Sequence, residues 1–428
     1  MAKQRTVTRR EFLARTAGAG VLAGSMVAGT AARAQVSPNE RLSIGFIGLG
    51  GMGSGHLHGF AGSPKWEVRA VCDVHQGRRE NGAKVVADAG GQATPYRDFR
   101  EVIDHDDIDA VLIATPDHWH ALTTVMACES GKDVYCEKPM ALTIYEQQRM
   151  IQAARRYGRI VQIGTQQRSQ SHIRHAVELV RSGRIGKVTL CRAWLGGGGG
   201  GGWPPNGQPP AELDWDLWLG PAPWVEYNPA RFGNFRQFWD YSGGGMTDWG
   251  THLIDILHWG TGEDAPVSIE ATGRYADDGI YEMPESLEVI YQYPTHTMIW
   301  SQPPPEPLPM GQPSYGMYFE GTNGRLFVDR EKYTIEPEDA DKEPLGKEDF
   351  ILPRVASHSD EWYDCIFSRE LPTSDAAVAH RSTSSPHLGN IAFRIGRKLR
   401  WDGVAERFVD DDEANRWIAR PYREPWVL

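Results

Sequence analysis

Cysteine is scarce in this 428-residue chain: Cys72, Cys128, Cys136, Cys191 and Cys365, with no Cys-x-x-Cys pair and no regular spacing. An odd, scattered set excludes a disulfide framework. Cys72 and Cys136 stand in apolar, strand-like runs and read as buried thiols, which fits folding in a reducing compartment. Long hydrophobic runs are missing too. No stretch of about 18 apolar residues is present, so no membrane-spanning helix is predicted. Positive charge is the minority sign, with 45 Lys and Arg against 56 Asp and Glu and a net charge of −11. That balance excludes nucleic acid and anionic lipid as expected partners. The acidic runs Asp104–Asp109 and Asp410–Glu413 read as solvated surface.

The first 34 residues are where basic charge concentrates. Arg9 and Arg10 precede Phe12 and Leu13, a Gly/Ala-rich weakly apolar run covers 17–32, and Ala32-Arg33-Ala34 offers a small-residue cleavage site. A basic start, a short apolar middle and an A-x-A end predict a cleaved signal peptide over 1–34. The paired arginines point to the twin-arginine route and an exported, periplasmic protein that folds first. The remaining length predicts two domains, 41–165 and 166–428.

The first domain opens on LSIGFIGLGGMGSGHL, from Leu42 to Leu57. Apolar strand formers lead into Gly48, Gly50 and Gly53 and then a helix-like segment, the context that a G-x-G-x-x-G dinucleotide turn requires. Gly48 permits the turn, Gly50 lets a pyrophosphate approach, Gly53 allows close helix packing, and Gly51 and Met52 lie between. The next strand-like run ends at Asp73, placed to accept from ribose hydroxyls and so favouring NAD, while Arg78 and Arg79 keep NADP open. Strand-like and helix-like segments then alternate, which predicts a parallel, doubly wound α/β sheet. Ligands of such sheets sit beyond the carboxyl ends of the strands, so Thr115-Pro116-Asp117-His118-Trp119-His120 and Glu137-Lys138-Pro139 become the loops of interest.

Downstream, TDWGTHLIDILHW predicts a helix from Thr247 to Trp259, stopped at Gly260. Asp248 and His252, four apart, share a face, with Asp255 near it. A carboxylate beside a histidine orients it and raises its basicity. Seven glycines, Gly196 to Gly202, predict a mobile loop, and Trp215, Trp218, Trp224 and Trp239 read mainly as packing residues. The pair His118/His120 has no third ligand at metal spacing, so no metal is expected. Runs such as SLEVIYQYP and HTMIWSQ alternate and predict an antiparallel sheet.

TPDHWH, CEKP and GGGMTDWGTHLID together resemble the Gfo/Idh/MocA oxidoreductases, a family that includes glucose–fructose oxidoreductase and inositol dehydrogenases; the likeness extends through the chain after residue 34. The resemblance implies a Rossmann domain followed by an α+β domain with a large, mostly antiparallel open sheet. It implies a nicotinamide dinucleotide held by Gly48, Gly50, Gly51, Met52, Gly53, Asp73, Arg78, Thr115, Pro116, His120, Glu137 and Lys138, and a cis bond before Pro139. Lys138 corresponds to the lysine beside the nicotinamide and the reacting hydroxyl, and Asp248 and His252 to the family's proton-handling pair, with Arg168 at a position that lines the substrate pocket. The open sheet face implies a homo-oligomer, dimer or tetramer. The reading that follows is an NAD(P)-linked oxidoreductase acting on the CH–OH group of a sugar, sugar derivative or cyclic polyol. Export folded, where free NAD is scarce, implies a tightly held, internally recycled cofactor. A second reading is NAD-dependent glycoside cleavage through transient oxidation and elimination. Relatives of that kind carry a Tyr-Pro-Thr-His stretch, which is not expected in this chain, so this reading ranks lower. A third is a non-catalytic sugar-binding protein, against which the retained Lys138, Asp248 and His252 argue.

Overall fold

The computed structural model describes residues 41–304 and 314–428; the predicted signal peptide lies outside them. In the first half, apolar runs form six short strands: β1 (Leu42–Ile47), β2 (Trp66–Cys72), β3 (Thr94–Tyr96), β4 (Ala110–Ile113), β5 (Asp133–Cys136) and β6 (Val161–Ile163). They form one sheet in the order β3-β2-β1-β4-β5-β6, with every pair parallel. Strands β1 and β4 to β6 are buried along their whole length, as expected where helices cover both faces. Those helices include α1 (Gly51–Ala61), α2 (Gln76–Asp88), α3 (Phe99–Ile103), α4 (His120–Glu129) and α5 (Ile144–Arg156). Helix α5 begins with a capping box between Thr143 and Glu146, a reciprocal arrangement that satisfies two otherwise orphaned amides. Strand order reverses beside β1, between β1 and β4, and loops at such a switch point form the ligand crevice.

After α6 (Ser171–Arg181) and β7 (Val188–Trp194) the chain makes a long excursion before its second sheet. The strands are β8 (Ser268–Tyr275), β9 (Pro284–Gln292), β10 (Thr297–Gln302), β11 (Gly316–Gly321), β12 (Arg325–Val328), β13 (Tyr333–Glu336), β14 (Leu399–Asp402) and β15 (Arg407–Phe408). With β7 they form a nine-stranded sheet in the order β13-β12-β11-β7-β10-β9-β8-β14-β15. Within this sheet, only the β7–β10 pair is parallel among the described strands. On β9, Leu287, Val289 and Tyr291 point into the core while Ile290 is exposed, the period-two pattern of a sheet with one open face. All five cysteines are buried and none forms a disulfide among the described residues.

The excursion, residues 195–243, holds α7 (Trp215–Leu219) and α8 (Pro229–Gly233) and its own cluster of Leu213, Trp218, Phe238 and Tyr241. It is fastened to the first sheet. Gln76 N–H donates to Glu212 O at 2.8 Å and Asp214 N–H to Val74 O at 3.2 Å. The glycine run predicted as a loop is largely exposed but makes close contacts at its C-terminal end. Ile280 N–H donates to Gly202 O at 2.9 Å, and a Cβ on Gly200 would fall 1.5 Å from the Asp278 carbonyl oxygen. Close backbone approach, rather than freedom, accounts for glycine there.

The helix predicted over 247–259 is divided into α9 (Gly244–Asp248) and α10 (Gly250–Thr261), interrupted at Trp249. It ends two residues later than expected, at Gly262 with φ 76°, the left-handed stop that glycine accepts readily. Gly260 serves packing instead, because a Cβ there would sit 2.5 Å from the Phe319 ring. Two more helices, α11 (His358–Ser368) and α12 (Ala376–Ile395), complete the described core.

Candidate functional site

The glycine turn after β1 is built for a ligand that needs room. Gly48 has φ +89°, and a Cβ would meet the Ala114 carbonyl carbon and the Thr115 nitrogen at 2.7 Å. A Cβ on Gly53 would fall 1.9 Å from Gly48 O. On the other side of the turn, Gly51 has nothing within 4 Å and Gly50 only the Arg78 Nη1 at 3.8 Å. No side chain caps the start of α1, so its first amides are left for an anion. Closed on the protein side, open on the other and uncapped, the turn fits a dinucleotide pyrophosphate.

Asp73 follows β2 and lines the same cleft of about 320 Å³. Its carboxylate first pins the turn, accepting from Leu49 N–H at 2.7 Å and His75 N–H at 2.8 Å; each oxygen keeps lone pairs for a ribose hydroxyl. Arg78 lines the cleft with its guanidinium over Phe232, 4.9 Å from the ring centroid. Met52, Thr115, Pro116, Glu137 and Lys138 also line it. Glu137 is a buried carboxylate, 2.7 Å from His56 Nε2 and bonded by Lys138 N–H at 3.2 Å. Burial raises its pKa, but His56 and Lys138 together bring it below the usual range.

His120 is not among the cleft-lining residues, contrary to its expected place beside the cofactor. Its ring is buried, with Nδ1 2.8 Å from Pro139 O and Nε2 2.9 Å from Thr115 O. It therefore ties together the two strand-end loops, Thr115–His120 and Glu137–Pro139. Two carbonyl acceptors call for two N–H donors, the protonated ring. Burial opposes that charge, but Cys136, Asp117 and the Pro139 carbonyl push the pKa up to about 10. The Lys138–Pro139 bond is cis. His118, the other member of the H-x-H pair, is likewise committed to a backbone carbonyl, Trp218 O at 3.0 Å.

Past these loops the cleft ends on charge. Lys138 Nζ donates to Asp248 Oδ1 at 2.5 Å and to Asp248 O at 3.1 Å. Arg236 Nε donates to the same Oδ1 at 2.9 Å. Burial raises the Asp248 pKa, but Lys138 and Arg236 outweigh it and hold the value at about 2. The expected Asp248–His252 bond is not formed, because the helix is interrupted at Trp249 and the carboxylate turns to Lys138. His252 is 3% exposed and its Nδ1 is buried without a partner. Burial, then Lys138 and Arg330, push its pKa well below the ordinary value, so its ring is neutral, and it does not line the cleft.

Arg168 is elsewhere. It is buried against Asp255, with Nε 2.7 Å from Oδ2 and Nη2 2.7 Å from Oδ1, and lies 4.8 Å from the Trp259 ring centroid. This is an internal brace, away from the dinucleotide cleft. The tryptophans divide as packing residues do: Trp215 and Trp218 stack with centroids 4.7 Å apart, Trp239 carries the Arg394 guanidinium, and Trp224 is 62% exposed. Trp218 and Phe232 also line the cleft, which the sequence reading missed, as it missed Arg236. Arg236 comes from an irregular segment whose only signal is its place shortly before Gly243-Gly244-Gly245. Tyr241 is buried in the tryptophan cluster, its hydroxyl unpartnered. A Tyr-Pro-Thr-His stretch does occur, at Tyr293–His296, but it forms the β9–β10 turn. There Tyr293 bonds His258 at 2.6 Å and neither residue lines the cleft.

Comparison with known proteins agrees with this geometry. Residues 42–165 match the family model described as "Oxidoreductase family, NAD-binding Rossmann fold", and residues 201–428 match its "C-terminal alpha/beta domain". Inositol 2-dehydrogenase of Salmonella typhimurium is 35% identical over 151 residues, 35% of this chain and 44% of that protein. Glycosyl hydrolase family 109 protein 1 of Shewanella sp. ANA-3 is 33% identical over 177 residues, 35% of this chain and 37% of that protein. The matches thus span less than half the length of these curated relatives. The crystal structure of levoglucosan dehydrogenase in complex with NADH superposes with a TM-score of 0.62 over 84% of this chain and 99% of that one, at 18% identity, a likeness of fold. With both of its domains matched, the chain belongs to the Gfo/Idh/MocA oxidoreductase family.

Proposed function

We propose that the protein is an NAD-linked oxidoreductase acting on a secondary hydroxyl of a sugar, sugar derivative or cyclic polyol. The observation that carries the reading is the Lys138–Asp248 contact at the end of the glycine-turn cleft. When bound, the nicotinamide supplies a hydride acceptor or donor at its C4. Gly48, Gly50, Gly51, Met52 and Gly53 would hold the phosphates, Asp73 the ribose, and Thr115, Pro116, Glu137 and Lys138 the reacting end. Lys138, held by Asp248, donates a hydrogen bond to the substrate oxygen and stabilises the negative charge that develops there. His252, with Nδ1 unpartnered, is the proposed acceptor of the hydroxyl proton, although burial, Lys138 and Arg330 lower its basicity. Asp248 therefore orients Lys138 rather than His252, and Arg168 has no part in the pocket.

Export by the twin-arginine route, with the cofactor retained and recycled by a second substrate, belongs to this proposal. It rests on Arg9, Arg10 and the leader pattern, and on the way Trp218 and Phe232 of the excursion close one wall of the cleft. The open sheet face, with exposed Ile290 on β9, is proposed to pair in a homo-oligomer. Glycoside cleavage without net redox is a second reading, favoured by the match to the family 109 protein. One experiment separates the two. Holoenzyme is presented with sugars, polyols and aryl glycosides while nicotinamide absorbance and free sugar are both followed. Reduction of bound cofactor by a free sugar or polyol, lost in Lys138→Met, supports the first reading. Sugar release without a redox change replaces it with the second, and inactivity of wild type toward every class overturns both.

A further inference from the structure

At the reacting end Lys138, Arg236 and Arg330 gather near Asp248, and the buried carboxylates Asp117 and Glu137 are also felt at Arg236. Lys138 and Arg236 share one oxygen of Asp248. Arg330 lies over the Trp249 ring, 4.5 Å from its centroid, and its charge is felt at His252 together with that of Lys138. Arg330 forms no ion pair among the described residues, and its Nε is buried without a partner. Arg236 commits only Nε to Asp248; its Nη1 and Nη2 have no partner among the described residues, and its side chain is 44% exposed where it lines the cleft.

The direction of the chain locates this free edge. Phe232 sits under Arg78 near the ribose-binding Asp73, and four residues later Arg236 reaches Asp248 at the far end of the cleft. A guanidinium fixed through Nε presents its two outer nitrogens as a planar fork, the shape that takes a carboxylate with two parallel hydrogen bonds. An oxidised nicotinamide would add a positive charge to the same end, which favours an anionic substrate over a neutral one.

Building on the oxidoreductase reading above, we propose that the substrate is a sugar acid and that Arg236 holds its carboxylate while Lys138 holds the hydroxyl to be oxidised. Arg236 is then the residue that separates acids from neutral sugars, since an unfilled charged fork is left unpaired by a neutral analogue. The one other oxyanion within the same chemistry is the cofactor pyrophosphate, and the test must tell the two apart.

The test compares holoenzyme kcat/KM on matched pairs, D-glucose with D-glucuronate and D-galactose with D-galacturonate, in wild type, Arg236→Gln and Arg236→Lys, with dinucleotide content measured for each variant. The acid member is expected to be preferred about tenfold or more. Arg236→Gln brings the ratio close to one, chiefly through KM for the acid, and Arg236→Lys keeps part of the preference. Equal or better use of neutral sugars by wild type overturns the sugar-acid proposal while leaving the oxidoreductase reading standing. Loss of dinucleotide from Arg236→Gln with an unchanged ratio assigns the fork to the pyrophosphate and overturns it as well. Inactivity of wild type on both members of every pair, with cofactor in place, removes the proposal, and inactivity extending to polyols and glycosides removes the reading beneath it.

Discussion

Lys138 Nζ and Asp248 Oδ1 lie 2.5 Å apart, although the residues are 110 positions apart in sequence and belong to different sheets' domains. The loop after a parallel strand supplies the cation, and the end of a short helix in the second half supplies the anion. Neither half alone has a complete reacting end.

Replacing Asp248 by Asn keeps the shape but leaves Lys138 and Arg236 without their shared counter-charge. Asp248→Asn is expected to lower kcat by about a hundredfold or more while the dinucleotide stays bound. Single-turnover kinetics on the purified variant check this; near-wild-type turnover would remove Asp248 from the mechanism.

Gly53→Ala places a Cβ 1.9 Å from Gly48 O, so helix α1 must move away from the turn. The variant is expected to be recovered without dinucleotide. Gly55→Ala, where a Cβ meets nothing within 4 Å, is expected to retain it. Nucleotide release on denaturation distinguishes the two.

Arg168→Met leaves Asp255 buried with its main partner gone, a change that costs about 3–5 kcal/mol. The double variant Arg168→Met/Asp255→Leu is expected to recover much of that loss. Urea unfolding measures both. A single variant with unchanged stability but altered sugar preference would restore Arg168 to the substrate pocket.

Acid is expected to destabilise the fold well above the carboxylate range. Burial holds His118 and His258 at about 3 and His358 and His387 at about 4, against about 6.5 in the unfolded chain. The unfolded state therefore takes up protons first, and stability present above pH 6.5 is lost as pH falls toward 3–4. Asp248, held at about 2, adds a loss only below about pH 4. His120 works in the opposite sense: raised to about 10, its contribution is full below about 6.5 and lost as pH rises through 10. Urea midpoints are expected to fall on both sides of neutrality, with the alkaline fall reduced in His120→Gln. A midpoint that does not change between pH 7 and 4.5 would contradict the buried neutral histidines.

The fold class was legible in sequence because β1, β4 and β5 are largely apolar runs and β2 alternates before an apolar end, with strand ends marked by glycine, aspartate or proline. Strand β3, Thr-Pro-Tyr, carries no such pattern and escaped notice. The glycine turn was legible because its backbone demands are local. What was not legible depended on distant partners. Asp248 and His252 have helical spacing, but the interruption at Trp249 and the pull of Lys138 and Arg236 separate them. Arg168 stands where a pocket residue would, yet Asp255, 87 positions away, takes its guanidinium inward. His120 shares a loop with cleft residues but faces the opposite way, to the Pro139 carbonyl. Arg236 lies in an irregular segment whose place is set by the tertiary fold, and no periodicity announces it.

The most direct test is the nucleotide content of the protein purified from the fraction to which the proposed export would carry it. The protein is exchanged exhaustively into fresh buffer and denatured, and the supernatant is assayed for nicotinamide dinucleotide. About one equivalent per chain is the predicted result, since a cleft walled by the excursion and entered by the glycine turn keeps what it binds. Protein that is folded and exported yet holds none, and that gains activity from added NAD, would contradict a cofactor carried with the chain. Protein that neither holds nor binds the dinucleotide would contradict the oxidoreductase reading itself.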